Sequence, residues 1–522
     1  MNGAESLMRA LSNAGVEVCF TNPGTTEIHL LAALDQVPEM RTVLGLFEGV
    51  CSGAADGYAR MTGKPAATLF HLGAGLGNAV ANLHNARRAQ SPVVNLVGDH
   101  PGFHRRNDPP LASDIATLAD PVSGWVHEAA SATELPADGL AAVQAAMGPP
   151  GRVATLVVPS DCAWCESEAP AASADMPAPA SVSGETIDAV ARMIESGGPT
   201  AILLGGKALH EPGIRAAGRI ARATGAFLTA HTFDARFTRG AGLPVVRRLP
   251  YFPEQARKRL SDCQQLILVG ATVPTAFFAY PDSSVQVLPV GCEIKTLASR
   301  AENATEALEA LAEAVGAGEE AFDGQAPGRP EKPAGSLTTE TAGIALGALL
   351  PENAIVSDES GTSGGFAWRF TAADPSHDWL CLTGGAIGQG VPVATGASVA
   401  CPDRQVICLQ GDGGAMYTLQ ALWTQAREGL DVTTIIFSNR RYQILQTELE
   451  RLGFAASGSG VSEKISDTMT LSRPDLDWIQ LAGGMGVPAH RAETAEAFYQ
   501  LLEKALAEPG PHLIEAVLQP LY

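Results

Sequence analysis

One stretch limits the possible folds more than any other. The apolar, β-branched run Val406 to Leu409 breaks at Gly411-Asp412-Gly413-Gly414, and a helix-like segment follows. From Met416 onward, apolar residues recur at Leu419, Leu422, Trp423, Ala426 and Leu430, one face of a helix. Val432 to Phe437 is again β-branched and too short for a helix, so the whole reads as a strand–helix–strand unit. Such a crossover returns the chain parallel to its start. Asp412 and Asn439 are therefore expected at the carboxyl ends of neighbouring strands, where open α/β sheets bind ligands. One carboxylate and one amide oxygen beside turn amides are what a hard divalent cation holding a diphosphate requires. The plainer alternative is a turn in which Asp412 caps the helix and Asn439 ends a strand.

A chain of 522 residues is too long for one core and is expected to form three domains. The formal charge of −21 argues against nucleic acid and anionic membranes as partners, because both select a basic surface. No uncharged apolar run reaches spanning length, and the N-terminus lacks a basic region followed by an apolar core; a cytoplasmic protein is expected. Nine scattered cysteines suit reduced thiols better than a disulfide framework, and Cys162-Ala163-Trp164-Cys165 is read as structural.

The first domain, placed at 1–168, repeats the strand–helix alternation. Strands are expected at Val16 to Phe20, Thr42 to Phe47, Ala66 to Phe70 and Val93 to Val97, with helices at Ile28 to Leu34, Gly49 to Met61 and Asn78 to Ala89. A parallel sheet would gather Thr25, Glu48, His71 and His100 along one edge. Glu48 is the informative residue, since an unpaired carboxylate between Leu46-Phe47 and Val50-Cys51 would be costly. The glycines of His71-Leu72-Gly73-Ala74-Gly75-Leu76-Gly77-Asn78 lack the spacing and the downstream acid of a dinucleotide site.

A linker rich in Ala, Pro and Ser, Glu166 to Ser183, precedes a central Rossmann-like domain placed at 184–318. Its strands are expected at Ala201 to Leu204, Leu266 to Val269 and Val285 to Val290. A second linker, Gly316 to Leu337, leads to the third domain at 337–522. There, after a strand at Ala354 to Ser357, Gly361 and Thr362 offer amides and hydroxyls to a phosphate group. Thr383-Gly384-Gly385-Ala386-Ile387-Gly388 is too glycine-rich for an element interior, which suggests close approach to a ligand.

The sequence resembles the thiamine-diphosphate-dependent enzymes over its whole length. The carriers are Gly411-Asp412-Gly413 with Asn439, and Glu48 with Asp56-Gly57-Tyr58-Ala59 and Gly73/Gly75/Asn78. The resemblance implies three α/β domains with doubly wound parallel sheets, thiamine diphosphate and Mg²⁺ as cofactors, and a homodimer or homotetramer with each cofactor between two subunits. It assigns Glu48 and Asn78 to the pyrimidine. Gly361, Thr362, Gly385, Gly413, Gly414 and Tyr442 fall to the rest of the cofactor, Ile387 to the wedge that bends it, and Asp412, Asn439 and Arg441 to the metal.

Within the family the pattern is most like the benzoylformate decarboxylase branch, with acetolactate synthase as the alternative. The activity implied is non-oxidative decarboxylation of a 2-oxo acid, with aldehyde release or carboligation. FAD, carried in the central domain by some relatives, is disfavoured because the strand there runs into Gly270-Ala271-Thr272-Val273-Pro274. Asn22-Pro23-Gly24-Thr25 and His71 match substrate-facing positions of that branch, so Thr25 would bind the substrate carboxylate and His71 would move protons. Its second histidine falls near Phe277-Phe278, which cannot transfer protons, and this favours carboligation. His100, His104, Phe277, Phe278, Ile444 and Glu448 complete the expected substrate pocket.

Overall fold

The computed structural model describes the chain except for residues 171–174, 282–283, 319–321, 455–461 and 519–522. Parts of both expected linkers lie outside the described residues. The chain builds three mostly parallel sheets with flanking helices, divided between two compact units. The first unit comprises Met1–Met176, Arg329–Thr371 and Leu382–Tyr522, and the second Pro177–Gly328 and Ala372–Cys381.

The first sheet contains β1 (Val18–Asn22), β2 (Arg41–Leu44), β3 (Ala66–Phe70), β4 (Val93–Asp99), β5 (Trp125–Glu128) and β6 (Val153–Pro159). Their order is β2-β1-β3-β4-β6-β5, with every pairing parallel. β3, β4 and β6 are buried along their whole lengths and read as mainly apolar runs instead of alternating ones, with Thr68, Asn95 and Thr155 hydrogen-bonded in a row across them. Leu7, Met8 and Leu11 of the helix Gly3–Asn13 pack with Leu135 and Val143 of Leu135–Met147 against Leu69, Leu96 and Leu156 of the sheet. Because β1 to β4 are parallel neighbours, the segments that follow them open on one edge. β2 stops at Leu44, which leaves Gly45-Leu46-Phe47 as a bend immediately before the helix Glu48–Thr62.

In the second unit, β7 (Thr200–Leu204), β8 (Phe227–Ala230), β9 (Phe237–Arg239), β10 (Arg247–Arg248), β11 (Gln265–Val269) and β12 (Glu293–Ala298) appear in turn. Five of these make a parallel sheet in the order β10-β8-β7-β11-β12. The expected strand at Val285 to Val290 is not one; β12 takes its place. Pro289 cannot donate to a ladder, whereas an edge strand tolerates the exposed, charged Glu293 that the sequence pattern disfavoured.

The last strands are β13 (Ile355–Glu359), β14 (His377–Cys381), β15 (Val406–Gly411), β16 (Val432–Ser438), β17 (Ala489–Ala492) and β18 (His512–Val517). Those of the first unit run β17-β18-β16-β15-β13, all parallel. In the second unit, β14 pairs antiparallel with β9. The helix expected from Met416 is broken: one turn, Asp412–Ala415, is followed by an interruption and then Ala421–Glu428. Within the interruption Thr418 Oγ1 donates to the carbonyl of Gly388 at 2.8 Å, so the chain there is committed to a tertiary contact. No helix among the described residues is long and apolar enough to cross a membrane.

Candidate active site

Glu48 opens a 15-residue helix directly after the bend that ends β2, and is 5% exposed. Its Oε2 accepts from Asn78 Nδ2 at 2.9 Å, so the carboxylate has one neutral donor and a free oxygen. Asn78 lies in the helix Leu72–Ala89, which starts straight after His71 and thus includes the whole glycine motif. A Cβ at Gly75 would come within 3.0 Å of Glu48 Oε1.

His71 is held by two neighbours that sequence reasoning missed. Its Nδ1 lies 2.8 Å from Glu27 Oε2 and 3.1 Å from Thr26 Oγ1. Glu27 is fully buried and also accepts from Gly24 N at 3.0 Å and Thr26 Oγ1 at 2.8 Å. The Glu27 carboxylate only accepts and the Thr26 hydroxyl donates to it, so Nδ1 carries the proton and directs it to Glu27 Oε2 and Thr26 Oγ1, which fixes the ring's tautomer and orientation. Thr25 itself is exposed, and the bond to His71 is made by the next residue. Glycines shape this pocket: a Cβ at Gly24 would meet His71 Nδ1 at 2.0 Å, and one at Gly98 would meet Glu27 Oε1 at 2.0 Å. Leu72, fully buried, has φ +53, a conformation that costs a branched side chain of order 1–3 kcal/mol. A signal was present, since the hydroxyl-hydroxyl-acid run Thr25-Thr26-Glu27 follows a strand end.

Asp412 and Asn439 follow β15 and β16, which pair in parallel with Gly411 opposite Phe437, as the strand–helix–strand pattern requires. Asp412 is 4% exposed; its Oδ1 accepts from Gly413 N at 2.9 Å and its Oδ2 from Arg440 N at 2.6 Å. Burial pushes its pKa up to about 6 against the pull of those amides. Arg440 has φ +58 between Asn439 and Arg441, and Asn439 Oδ1 accepts from Arg441 N at 3.1 Å. Tyr442 packs so closely on Gly413 that a Cβ there would lie 2.3 Å from the ring. A buried carboxylate with only amide donors, beside an amide oxygen, is short of positive charge. A hard divalent cation fits this donor set.

The glycine-rich loop between Leu382 and Gly390 is gripped from several directions. Gly385 and Gly388 have φ +76 and +95, with Ile387 half-buried between them. Asn82 Nδ2 donates to Gly388 O at 3.1 Å and Asn85 Nδ2 to Ala386 O at 2.8 Å. Arg60, paired with Asp56 through contacts of 2.8 and 2.6 Å, donates to Thr383 Oγ1 at 3.0 Å and Gln389 Oε1 at 3.2 Å. Glu359 was also missed. It ends β13, is buried, and accepts from Gly388 N at 2.7 Å, Gly390 N at 2.6 Å and Gln410 Nε2 at 2.8 Å. The strand was expected to stop at Ser357 because Asp358-Glu359-Ser360 looks like loop. Burial raises the Glu359 pKa, offset by its amide donors. Gly361, with φ +57, and Thr362 form the exposed turn after that strand, and Gly414 lies in the helical turn after Asp412.

The expected substrate residues lie on several different elements. His100 and His104 meet edge to face at 5.3 Å, His104 on the short helix Gly102–Arg105 where a loop was expected. Phe277 and Phe278 belong to the second unit, exposed and in ring contact with Tyr251. Ile444 and Glu448 lie on the helix Gln443–Arg451, where Glu448 pairs with Arg451 at 3.8 Å. Arg441 Nη1 donates to Gln446 Oε1 at 3.3 Å on the same helix.

Comparison with known proteins gives one consistent result. Residues 1–113 match the thiamine pyrophosphate enzyme N-terminal TPP binding domain, and residues 359–516 the corresponding C-terminal TPP binding domain. A Mycobacterium tuberculosis protein provisionally named an acetolactate synthase large subunit is 50% identical over 521 residues, covering 100% of both chains. Benzoylformate decarboxylase of Pseudomonas aeruginosa is 31% identical, with 98% of each chain covered. Among solved structures, the Rhodococcus jostii thiamine diphosphate-dependent 4-hydroxybenzoylformate decarboxylase superposes with a TM-score of 0.88 at 26% identity, covering 99% of each chain.

Proposed function

The chain belongs to the thiamine-diphosphate-dependent enzymes, and on that premise we propose that it decarboxylates a 2-oxo acid without oxidation, releasing an aldehyde or joining the fragment to a second carbonyl. The observation that carries this reading is the buried Glu27 holding His71 at the sheet edge that also presents Glu48. When bound, thiamine diphosphate supplies the electron sink for loss of CO₂. Everything else falls to the chain's own residues.

Glu48 would hold the proton shared with the cofactor's pyrimidine, and Asn78 keeps its carboxylate in place. Glu27 keeps the His71 Nδ1 protonated, which leaves Nε2 as the nitrogen able to exchange a proton with substrate or product. Thr25 or Thr26 bonds the substrate carboxylate. Asp412, Asn439 and Arg441 would hold Mg²⁺, and Gly361, Thr362, Gly413, Gly414 and Tyr442 would hold the diphosphate end of the cofactor. Ile387, presented by the loop whose amides Glu359 binds, would pack against the cofactor. Pyrimidine recognition is assigned to 1–168 and diphosphate recognition to 337–522, shared between subunits of a homodimer or homotetramer.

The test is an assay with thiamine diphosphate, Mg²⁺ and a panel of 2-oxo acids including pyruvate and benzoylformate, measuring CO₂, aldehyde and ketol. Absence of turnover on every acid, or turnover unaffected by Glu48→Gln, defeats the proposal. A second reading, acetolactate formation from two pyruvates, draws on the 50% identical relative's name. An aldehyde as the sole product from pyruvate removes it.

A further inference from the structure

In the second unit two cysteines face each other just ahead of neighbouring strands. Cys263 lies two residues before β11 and Cys292 one residue before β12, and these strands are parallel partners, with Gln265 opposite Glu293. Glu293 N donates to Gln264 O at 2.8 Å, which draws the beginnings of the two strands together. The sulfurs are 3.9 Å apart. A disulfide needs about 2 Å between sulfurs, so a change of side-chain rotamer with a small backbone adjustment closes the gap.

Surroundings differ for the two thiols. Cys263 is 2% exposed, packed with Leu260, Leu266 and Val287, and its sulfur donates to Gln265 O at 3.1 Å. Cys292 is half-buried at a cavity of about 340 Å³ whose wall includes both cysteines, Asp262, Pro289 and Val290. A small oxidant therefore has a route to Cys292, and Cys263 waits behind it. The remaining cysteines are free thiols as well, and among them Cys165 is exposed.

The connection from β11 to β12 gives the pair a purpose. Parallel neighbours are usually joined through a helix that packs its apolar face on the sheet. Here the chain between Val269 and Glu293 holds no helix among the described residues, and it exposes Val273, Phe277, Phe278, Val285 and Val290. The bridge between Thr275 and Gln286, the bond from Arg257 Nη1 to Ser284 O at 2.7 Å and the buried Val287 tie down its middle, and at its end Cys292 meets Cys263 just before β12 pairs with β11.

We propose that Cys263 and Cys292 form a peroxide-responsive dithiol that closes to a disulfide and fastens the crossover between β11 and β12. A hydroperoxide oxidises the Cys292 thiolate to a sulfenic acid, its O–O bond breaking and one oxygen leaving as water or alcohol. The Cys263 sulfur then attacks the Cys292 sulfur, the S–O bond breaks, and hydroxide leaves as water with the proton given up by Cys263. Two thiols lose two electrons in total and the peroxide gains them; a small dithiol reverses the change. Burial holds both thiols above their ordinary pKa, with Cys263 pushed up to about 12, so closure is slow at neutral pH and faster as pH rises.

Purified full-length protein, treated with hydrogen peroxide and then alkylated, is digested and mapped by mass spectrometry without reduction. The expected result is a peptide pair joined through Cys263 and Cys292, two hydrogens lighter than the separate thiols and released by dithiothreitol. Chymotryptic cleavage at Phe277 and Phe278 should slow several-fold in the closed form, and Cys292→Ala should show neither effect. The exposed Cys165 reports that oxidant was sufficient. Oxidation of Cys165 with Cys263 and Cys292 still alkylatable, or Cys292 advancing to sulfinic acid without cross-linking, overturns the proposal.

Discussion

The first sheet and the β10-β8-β7-β11-β12 sheet are variations on one architecture that treat their carboxyl edges in opposite ways. At the edge of the first, β1, β2 and β3 lead into Glu27, Glu48 and His71, all polar and held by hydrogen bonds. At the edge of the other, β7 and β11 run into Gly205 and Gly270, whose backbones meet: a Cβ on Gly205 would lie 2.7 Å from Gly270 O, and one on Gly270 2.5 Å from Gly205 O. The first edge leaves a crevice furnished with proton-carrying groups, and the second is plugged by backbone at the same topological place. A shared fold therefore does not confer shared chemistry; the residues just past each strand decide it.

The comparison can be broken most decisively at Glu48. Glu48→Gln keeps the shape and the bond to Asn78 but removes the proton acceptor, and is expected to lower kcat about 10²–10⁴-fold; near wild-type turnover on the best 2-oxo acid would show that the furnished edge is not where chemistry happens. Next comes Asp56→Asn, which leaves the buried Arg60 without its counter-charge. Denaturant unfolding should show a loss of about 3–5 kcal/mol.

Glu27→Gln is expected to cost about 10-fold to 100-fold in kcat, because the amide holds the His71 tautomer less strictly, and to lower the melting temperature as well, since donors to one of its two buried oxygens lose their acceptor. On the plugged edge, Gly270→Ala adds a Cβ at φ +63 against a carbonyl, and should cost about 1–3 kcal/mol of stability. Cofactor affinity measured by titration should be untouched, and a large loss there would mean that the plugged edge also serves the cofactor. Smallest of all, Arg215→Ala removes an ion pair whose two side chains are each 45% exposed, and thermal unfolding should register at most about 0.5 kcal/mol.

What could be read from the sequence follows the same division. β3 and the pairing of β15 with β16 were legible because these buried strands are short, mainly apolar and β-branched, and their ends are marked by glycine, histidine or asparagine. Glu48 and Asp412 stood out as charges set in apolar or glycine surroundings. Glu27 and Glu359 did not, since each sits in a polar run that resembles ordinary loop, and their partners lie far along the chain at His71 and Gly388. β12 was hidden for a related reason: an edge strand can be polar, so its pairing with β11 leaves no apolar signature. The break at Thr418 was invisible because helical periodicity records a face, and a tertiary bond to Gly388 interrupts the backbone without disturbing that face.

The Asp56–Arg60 pair spans one helical turn, yet Arg60 also reaches Thr383 and Gln389, more than 300 positions later. During synthesis the local pair can form as soon as the helix Glu48–Thr62 leaves the ribosome, with the arginine's charge already balanced. The glycine-rich loop then arrives at a guanidinium that is oriented and waiting, so the early part of the chain serves as a template for the late part. A chain lacking that loop would leave the Arg60 guanidinium and the Asn82 and Asn85 amides without the partners that the loop supplies.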